Sequence, residues 1–186
     1  MSKVVTDEQL VAAALQGSAA AFNEIVERYQ ERLLRFLLTR SASRADAEDA
    51  IQDTFISAYR YLYSFDPRWR FSTWLYRIAL RNVARQPGHN ALETEVEPVD
   101  AEDPLQICLA ASDHENLWLT AKRLLSDDAY SAMWLRYVED MSVREVARAL
   151  NKSVSWAKVT LLRGRRRLKL KMSESAAVTA RSESYG

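Results

Sequence analysis

At 186 residues with a formal net charge of +1, the chain has room for one medium domain or two small ones, and its total charge selects no partner. An apolar share of 48% beside a charged share of 27% is ordinary for a soluble globular protein. No window reaches the roughly 18 apolar residues of a membrane span, and four Gly and four Pro with no long β pattern leave helices as the expected structure.

Thr6-Asp7-Glu8-Gln9 has the form of a capping box and predicts a first helix, with Leu10, Val11 and Ala14 as a small apolar stripe and Gly17 as a left-handed stop. A second helix is expected from about Ala20 to Arg40, because Phe22, Ile25, Val26, Tyr29, Leu33, Phe36 and Leu37 recur at three and four spacing. A third starts near Ala45. Asp46, Glu48 and Asp49 suit its positive end, and Ile51, Phe55, Ala58 and Leu62 point to the core. Asp49 and Asp53 share an exposed face at a spacing where like charges repel, so this face suits a basic partner better than a merely solvated face, which stays open as the alternative. Asp66-Pro67 breaks the helix. A loop with Arg68, Trp69, Arg70 and Phe71 leads into a fourth helix, with Ser72 as a possible cap and Arg77, Arg81 and Arg85 in one stripe. Each aromatic alone reads as core. Large aromatics clustered with arginines between Phe65 and Arg85 suit nucleic acid better, since guanidinium groups neutralise phosphates and aromatic faces stack on unpaired bases.

From Gln86 to Ala121 there is no Lys or Arg but eight acidic residues, so the stretch to about Ser112, with Pro98 and Pro104, reads as a flexible acidic linker. A second helical unit follows. Ser126-Asp127-Asp128 caps a helix carrying Tyr130, Met133, Trp134 and Tyr137, and Ser142-Val143-Arg144-Glu145 is another capping box. Asn151-Lys152-Ser153 makes a tight turn into a basic helix ending near Lys171, and the small polar tail from Ser173 is expected to be disordered. A short helix, a three-residue turn and a basic second helix make the layout of a helix-turn-helix. The lone Cys108 fits a reducing compartment and reads as a small apolar residue. His89 and His114 lie in or beside the linker, no metal-ligand spacing or phosphate loop occurs, and neither catalysis nor a cofactor or metal is expected.

Over almost its whole length the chain resembles the ECF (extracytoplasmic function) sigma factors of bacterial RNA polymerase. DAEDAIQDTFISAYRYLYSFDP followed by FSTWLYRIALRNVA is similar to that family's domain two, and LRYVEDMSVREVARALNKSVSWAKVTLLRGRRRL to its domain four. The fold then expected is all-α: two small helical domains over 1–86 and 113–172, a linker over 87–112 and a tail over 173–186, the C-terminal domain being the helix-turn-helix. The resemblance implies a factor that binds core polymerase, directs it to promoters and helps open the DNA. It implies that Asp49, Gln52, Asp53 and Phe55 grip the beta-prime clamp helices, with a further contact to the beta flap. It implies that Phe65, Arg68, Trp69, Phe71, Ser72, Trp74, Arg77, Ile78, Arg81 and Asn82 serve the minus-ten element, where bases are held out of the stack. It implies that Ser153, Ser155, Trp156, Lys158, Val159, Leu162, Arg163 and Arg166 serve the minus-thirty-five element, with phosphate contacts among Arg165, Arg166 and Arg167. Partners implied are core RNA polymerase, promoter DNA and an anti-sigma factor, in the cytoplasm and without membrane insertion. The chain departs from the family pattern at Asn151, where Gly is usual, at Leu125-Ser126 for a Leu-Pro step, at Ser155-Trp156 for Gly-Thr and at Thr160 for Arg; Pro87 and Gly88 end the fourth helix early. Two other functions stay open on the residues alone, a stand-alone helix-turn-helix regulator and a helical adaptor.

Overall fold

The structure, a computed structural model, describes residues 5–84 and 113–183, with the side chains of 5–84 and 117–172. The expected linker, with His89 and Cys108, and Arg85 of the arginine stripe lie outside the described residues. The chain divides into two compact units, Met1–Cys108 and Leu109–Gly186. Among the described residues every regular element is helical.

The first unit holds α1 (Asp7–Leu15), α2 (Ala19–Leu38), α3 (Arg44–Arg60), a 3-10 turn (Leu62–Ser64) and α4 (Phe71–Val83). The capping box of α1 forms: the Thr6 hydroxyl accepts from the Gln9 N–H at 3.3 Å, and Gln9 Oε1 accepts from the Thr6 N–H at 3.0 Å. The helix closes at Gly17, whose φ of +94° lets the Ser18 N–H reach the Ala13 carbonyl at 3.0 Å. Ser18 and Ser43 then cap α2 and α3. The core is built on α2, where Ile25, Tyr29, Leu33, Phe36 and Leu37 are buried as the periodicity predicts. Ala47, Ala50 and Ala58 present a smooth side of α3, and α4 fills the space with Leu75, Tyr76, Ala79 and Val83. Phe36 and Tyr76 meet edge to face at 5.2 Å. Helix α4 starts one residue before the expected cap: Arg70, extended and without a side-chain cap bond, precedes it, and Ser72 is a buried residue of its first turn.

The second unit holds α5 (Asp113–Leu124), α6 (Asp127–Tyr137), α7 (Val143–Ala149) and α8 (Val154–Glu183). Trp118, Tyr130 and Trp134 form one cluster, with Trp118 to Trp134 at 5.1 Å and Trp118 to Tyr130 at 5.7 Å. Helix α8 packs against the other three helices of the unit, with Ala157, Leu161, Gly164 and Leu168 buried. At Gly164 a Cβ would stand 3.1 Å from the Met133 sulfur, so glycine lets α8 come close to α6. The last helix continues past Lys171 to Glu183, where a disordered tail is expected from composition. The cause is local. SESAAVTARSE carries no Gly or Pro, and Ala, Glu and Arg favour helix.

Candidate nucleic-acid interface

Helix α3 exposes Asp49, Gln52 and Asp53 together, as side chains three and four apart must be. Ser43 and Asp46 hold its start: the Ser43 hydroxyl accepts from the Asp46 N–H at 3.1 Å. Glu48 is engaged by Arg44 at 2.8 Å. Phe55 does not join this face. It is 8% exposed, because six residues on from Asp49 the helix has turned it toward the core. The face continues instead through Ile56 and Tyr59, 54% and 60% exposed. Sequence periodicity gives them no role, since the core stripe is complete without them.

After the 3-10 turn the chain bends at Asp66-Pro67, where the Trp69 N–H donates to the Asp66 carbonyl at 3.1 Å. Arg68 folds back on Asp66 in a two-pronged pair, Nε to Oδ1 at 2.9 Å and Nη2 to Oδ2 at 2.8 Å, and the carboxylate raises its pKa. Arg70, Arg77 and Arg81 are exposed. Phe65, Trp69 and Trp74 are half-buried. Phe71 is fully buried, 5.6 Å from the rings of both Phe65 and Trp74, which lie 5.8 Å from each other. Phe71 is thus the floor of an aromatic group, and Phe65 and Trp74 are its partly open sides. The structure takes three further expected contact residues inward with it. Ser72 and Ile78 are in the core, and Asn82 is buried with its Nδ2 at 3.5 Å from the Ser57 hydroxyl. Helix α4 buries residues on most of its circumference, so its open strip is narrow: Trp74, Arg77 and Arg81, with Leu80 at its edge.

Tyr29 lies behind this group. Its ring meets Phe71 edge to face at 5.7 Å, and the Arg32 guanidinium carbon stands 5.3 Å from its centre. Its hydroxyl donates to Asp7 Oδ2 on α1, and Arg28 donates to Asp7 Oδ1 at 3.2 Å and to the Val5 carbonyl at 2.8 Å. Burial, then the hydrogen bond to Asp7, pushes the Tyr29 pKa well up. Tyr29 counts only as a stripe residue in the sequence. The available signal is that it is Tyr and not Phe, because a buried phenol needs a partner.

In the second unit α7 closes on Asn151, with φ +54°: the Lys152 N–H reaches the Ala147 carbonyl at 2.8 Å and the Asn151 N–H that of Arg148 at 3.2 Å. Asn fills the glycine position of the turn because its short polar side chain tolerates the left-handed region. The capping box at Ser142 forms, with the Glu145 N–H at 3.3 Å from the hydroxyl and Glu145 Oε2 accepting from the Ser142 N–H at 2.7 Å. Leu125 is buried, and Ser126 caps α6. Ser153 caps α8, its hydroxyl accepting from the Trp156 N–H at 3.1 Å. From there α8 has two sides. Ala157, Leu161, Gly164 and Leu168 face inward, while Ser155, Lys158, Val159, Leu162, Arg163, Arg165, Arg166 and Arg167 are exposed. Trp156 is half-buried beneath the Lys152 ammonium, 5.4 Å from its ring centre, and Lys152 is itself held by Asp128 at 2.8 Å. An exposed helix face with donors and aliphatic tips fits base edges and thymine methyls in a major groove.

Among the described residues no group of His, Cys, Asp and Glu is placed to hold a metal ion, and no helix is long and apolar enough to cross a membrane. Residues 25–86 match the family described as Sigma-70 region 2, and residues 116–168 the one described as Sigma-70, region 4. The ECF RNA polymerase sigma-E factor of Haemophilus influenzae is 31% identical over 186 residues, covering 92% of this chain and 98% of that protein. The sigma-E factor of Escherichia coli is 31% identical over 179 residues, covering 89% of this chain and 93% of that protein. The fold is that of CnrH, solved in complex with the cytosolic domain of CnrY, at a TM-score of 0.65 and 24% identity over 90% of this chain and 97% of that one. It is also that of the sigma factor RpoE of Bartonella quintana, solved with the anti-sigma factor NepR, at a TM-score of 0.56 and 21% identity over 82% of this chain and 96% of that one.

Proposed function

Since the chain belongs to the ECF sigma factors, alternative sigma factors that direct bacterial RNA polymerase to promoters, we propose how its surfaces divide that work. The exposed face of α3, with Asp49, Gln52 and Asp53 at its centre and Ile56 and Tyr59 beyond, grips the clamp helices of the polymerase beta-prime subunit. The open sides of Phe65, Trp69 and Trp74 take unpaired bases of the minus-ten element, and Arg70, Arg77 and Arg81 hold the phosphates on either side. Unstacking a base costs a few kcal/mol, which stacking on an aromatic side chain offsets. The outward side of α8 reads the minus-thirty-five element as duplex, with Lys158 and Arg163 as candidate donors to guanine and Val159 and Leu162 against thymine methyls. Domain two covers 1–86, a linker 87–112 and domain four 113–172. The protein acts by binding and positioning, without a catalytic group of its own, in the cytoplasm where polymerase works. An anti-sigma partner, as the Bartonella quintana protein has in NepR, holds it when its promoters are silent.

The observation that carries this reading is the division within the first unit. One helix exposes carboxylates, and the loop and helix that follow expose half-buried aromatics beside arginines. A regulator built on the helix-turn-helix alone has no use for either surface. The test is transcription in vitro with core polymerase. Asp49→Lys combined with Asp53→Lys should lower promoter output at least about tenfold through lost core binding, since reversed charges at an interface cost several kcal/mol. Unchanged output, together with tight duplex binding by the isolated chain, would establish the stand-alone regulator instead.

A further inference from the structure

We propose that Tyr29 is a positioning residue for promoter capture, held by Asp7 of α1 and acting through Phe71 on the open aromatic surface. The inference rests on the reading of Phe65, Trp69 and Trp74 as the surface that takes unpaired bases. The physical chain is continuous. Asp7 accepts from the Tyr29 hydroxyl, and Arg28 holds the other Asp7 oxygen at 3.2 Å while also binding the Val5 carbonyl at 2.8 Å. The capping box at Thr6 fixes the start of α1, so the carboxylate is presented by an ordered turn. The Tyr29 ring, 3% exposed, stands edge-on to Phe71 at 5.7 Å, and Phe71 in turn touches Phe65 and Trp74. Helix α1 also packs against the 3-10 turn that leads into the loop.

A stacking surface works only if its ring planes are set before the base arrives, because ordering them on binding subtracts from affinity. Phe71 has no polar atom to fix its rotation. Its neighbour Tyr29 has one, tied to a carboxylate that is itself tied to an arginine. The charge-assisted bond therefore sets the plane of the first ring in a row of rings, the last of which meets DNA. The deep burial of Tyr29 keeps the hydroxyl protonated and donating across the working pH range.

The experiment uses the full chain in complex with core polymerase and a fluorescent single-stranded oligonucleotide carrying the minus-ten element. Core affinity is measured in parallel. Tyr29→Phe should lower oligonucleotide affinity about fivefold, the scale of one lost hydrogen bond, while core affinity stays within about twofold. In a Trp74→Ala background the same change should add less than it costs alone, because one of the two rings it positions through Phe71 is gone. Asp7→Asn, which keeps an acceptor oxygen for the Tyr29 hydroxyl, should retain more affinity than Asp7→Ala. The proposal is overturned if Tyr29→Phe leaves oligonucleotide affinity unchanged while Trp74→Ala reduces it. Equal losses of core and oligonucleotide affinity in Tyr29→Phe overturn it too, since that is the mark of a fold defect. If Trp74→Ala itself has no effect, the reading of the aromatic surface fails, and the inference falls with it by a distinguishable route.

Discussion

The candidate nucleic-acid surfaces of the two units are of opposite kinds. In the first, the candidate contacts are half-buried rings standing on a buried one, with arginines at the margin. In the second, they are mostly exposed tips of a single helix whose inner side is apolar. Stacking needs flat apolar area next to a cavity or edge, and such area must be supported from behind to stay open. Reading a groove needs donors at a fixed pitch, which one rigid helix supplies without support from other side chains. The first surface is therefore a property of packing among several elements, and the second is a property of one helix and its cap.

The largest effect that separates them should come from Lys158→Ala combined with Arg163→Ala. At roughly 1–3 kcal/mol per base contact, the holoenzyme should lose about 100-fold in affinity for upstream duplex, with single-stranded minus-ten binding unchanged. Fluorescence anisotropy on the two DNAs measures both, and a loss on the single strand would break the comparison. The converse change, Trp74→Ala, should cost about tenfold on the single strand and nothing on the duplex, as removal of one stacking partner does. Ser142→Ala sharpens the contrast through stability. It removes a helix cap, so the second unit should lose about 1 kcal/mol in urea unfolding while the first keeps its midpoint. The smallest effect concerns two helix ends that close in the same way. Asn151→Gly should change stability by only about 0.5 kcal/mol or less, whereas Gly17→Ala, at φ +94°, should cost about 1 kcal/mol.

Local chemistry was legible in the sequence and rotation was not. The capping boxes at Thr6 and Ser142, the helix start at Ser126 and the turn at Asn151 each depend on residues three to five apart, and each forms. The stripe of α2 is equally plain, because its apolar residues keep to one side. In α4 the run FSTWLYRIALRNV is apolar or small on most sides, so no periodicity says which residues look out. Phe71, Ser72, Ile78 and Asn82 turn inward for that reason, whereas on α3 Phe55 is buried as its place in the core stripe predicts, against the contact role the resemblance implies for it. Ser72 failed as a cap because the loop stays extended through Arg70, a choice made by packing around Phe71 and Trp74. The long-range tie from Asp7 to Tyr29 has no sequence signature beyond a phenol in a core stripe.

On the proposed division of surfaces, one chain gives core polymerase two separate readers of promoter DNA. That division is tested most directly by transcription in vitro from a randomised promoter library, with core polymerase and the chain, repeated with Lys158→Ala and with Trp74→Ala. The account predicts two enriched sequence blocks with the unaltered chain, loss of selection in the upstream block alone for Lys158→Ala, and in the downstream block alone for Trp74→Ala. A single enriched block, or two blocks that weaken together in both variants, would contradict it.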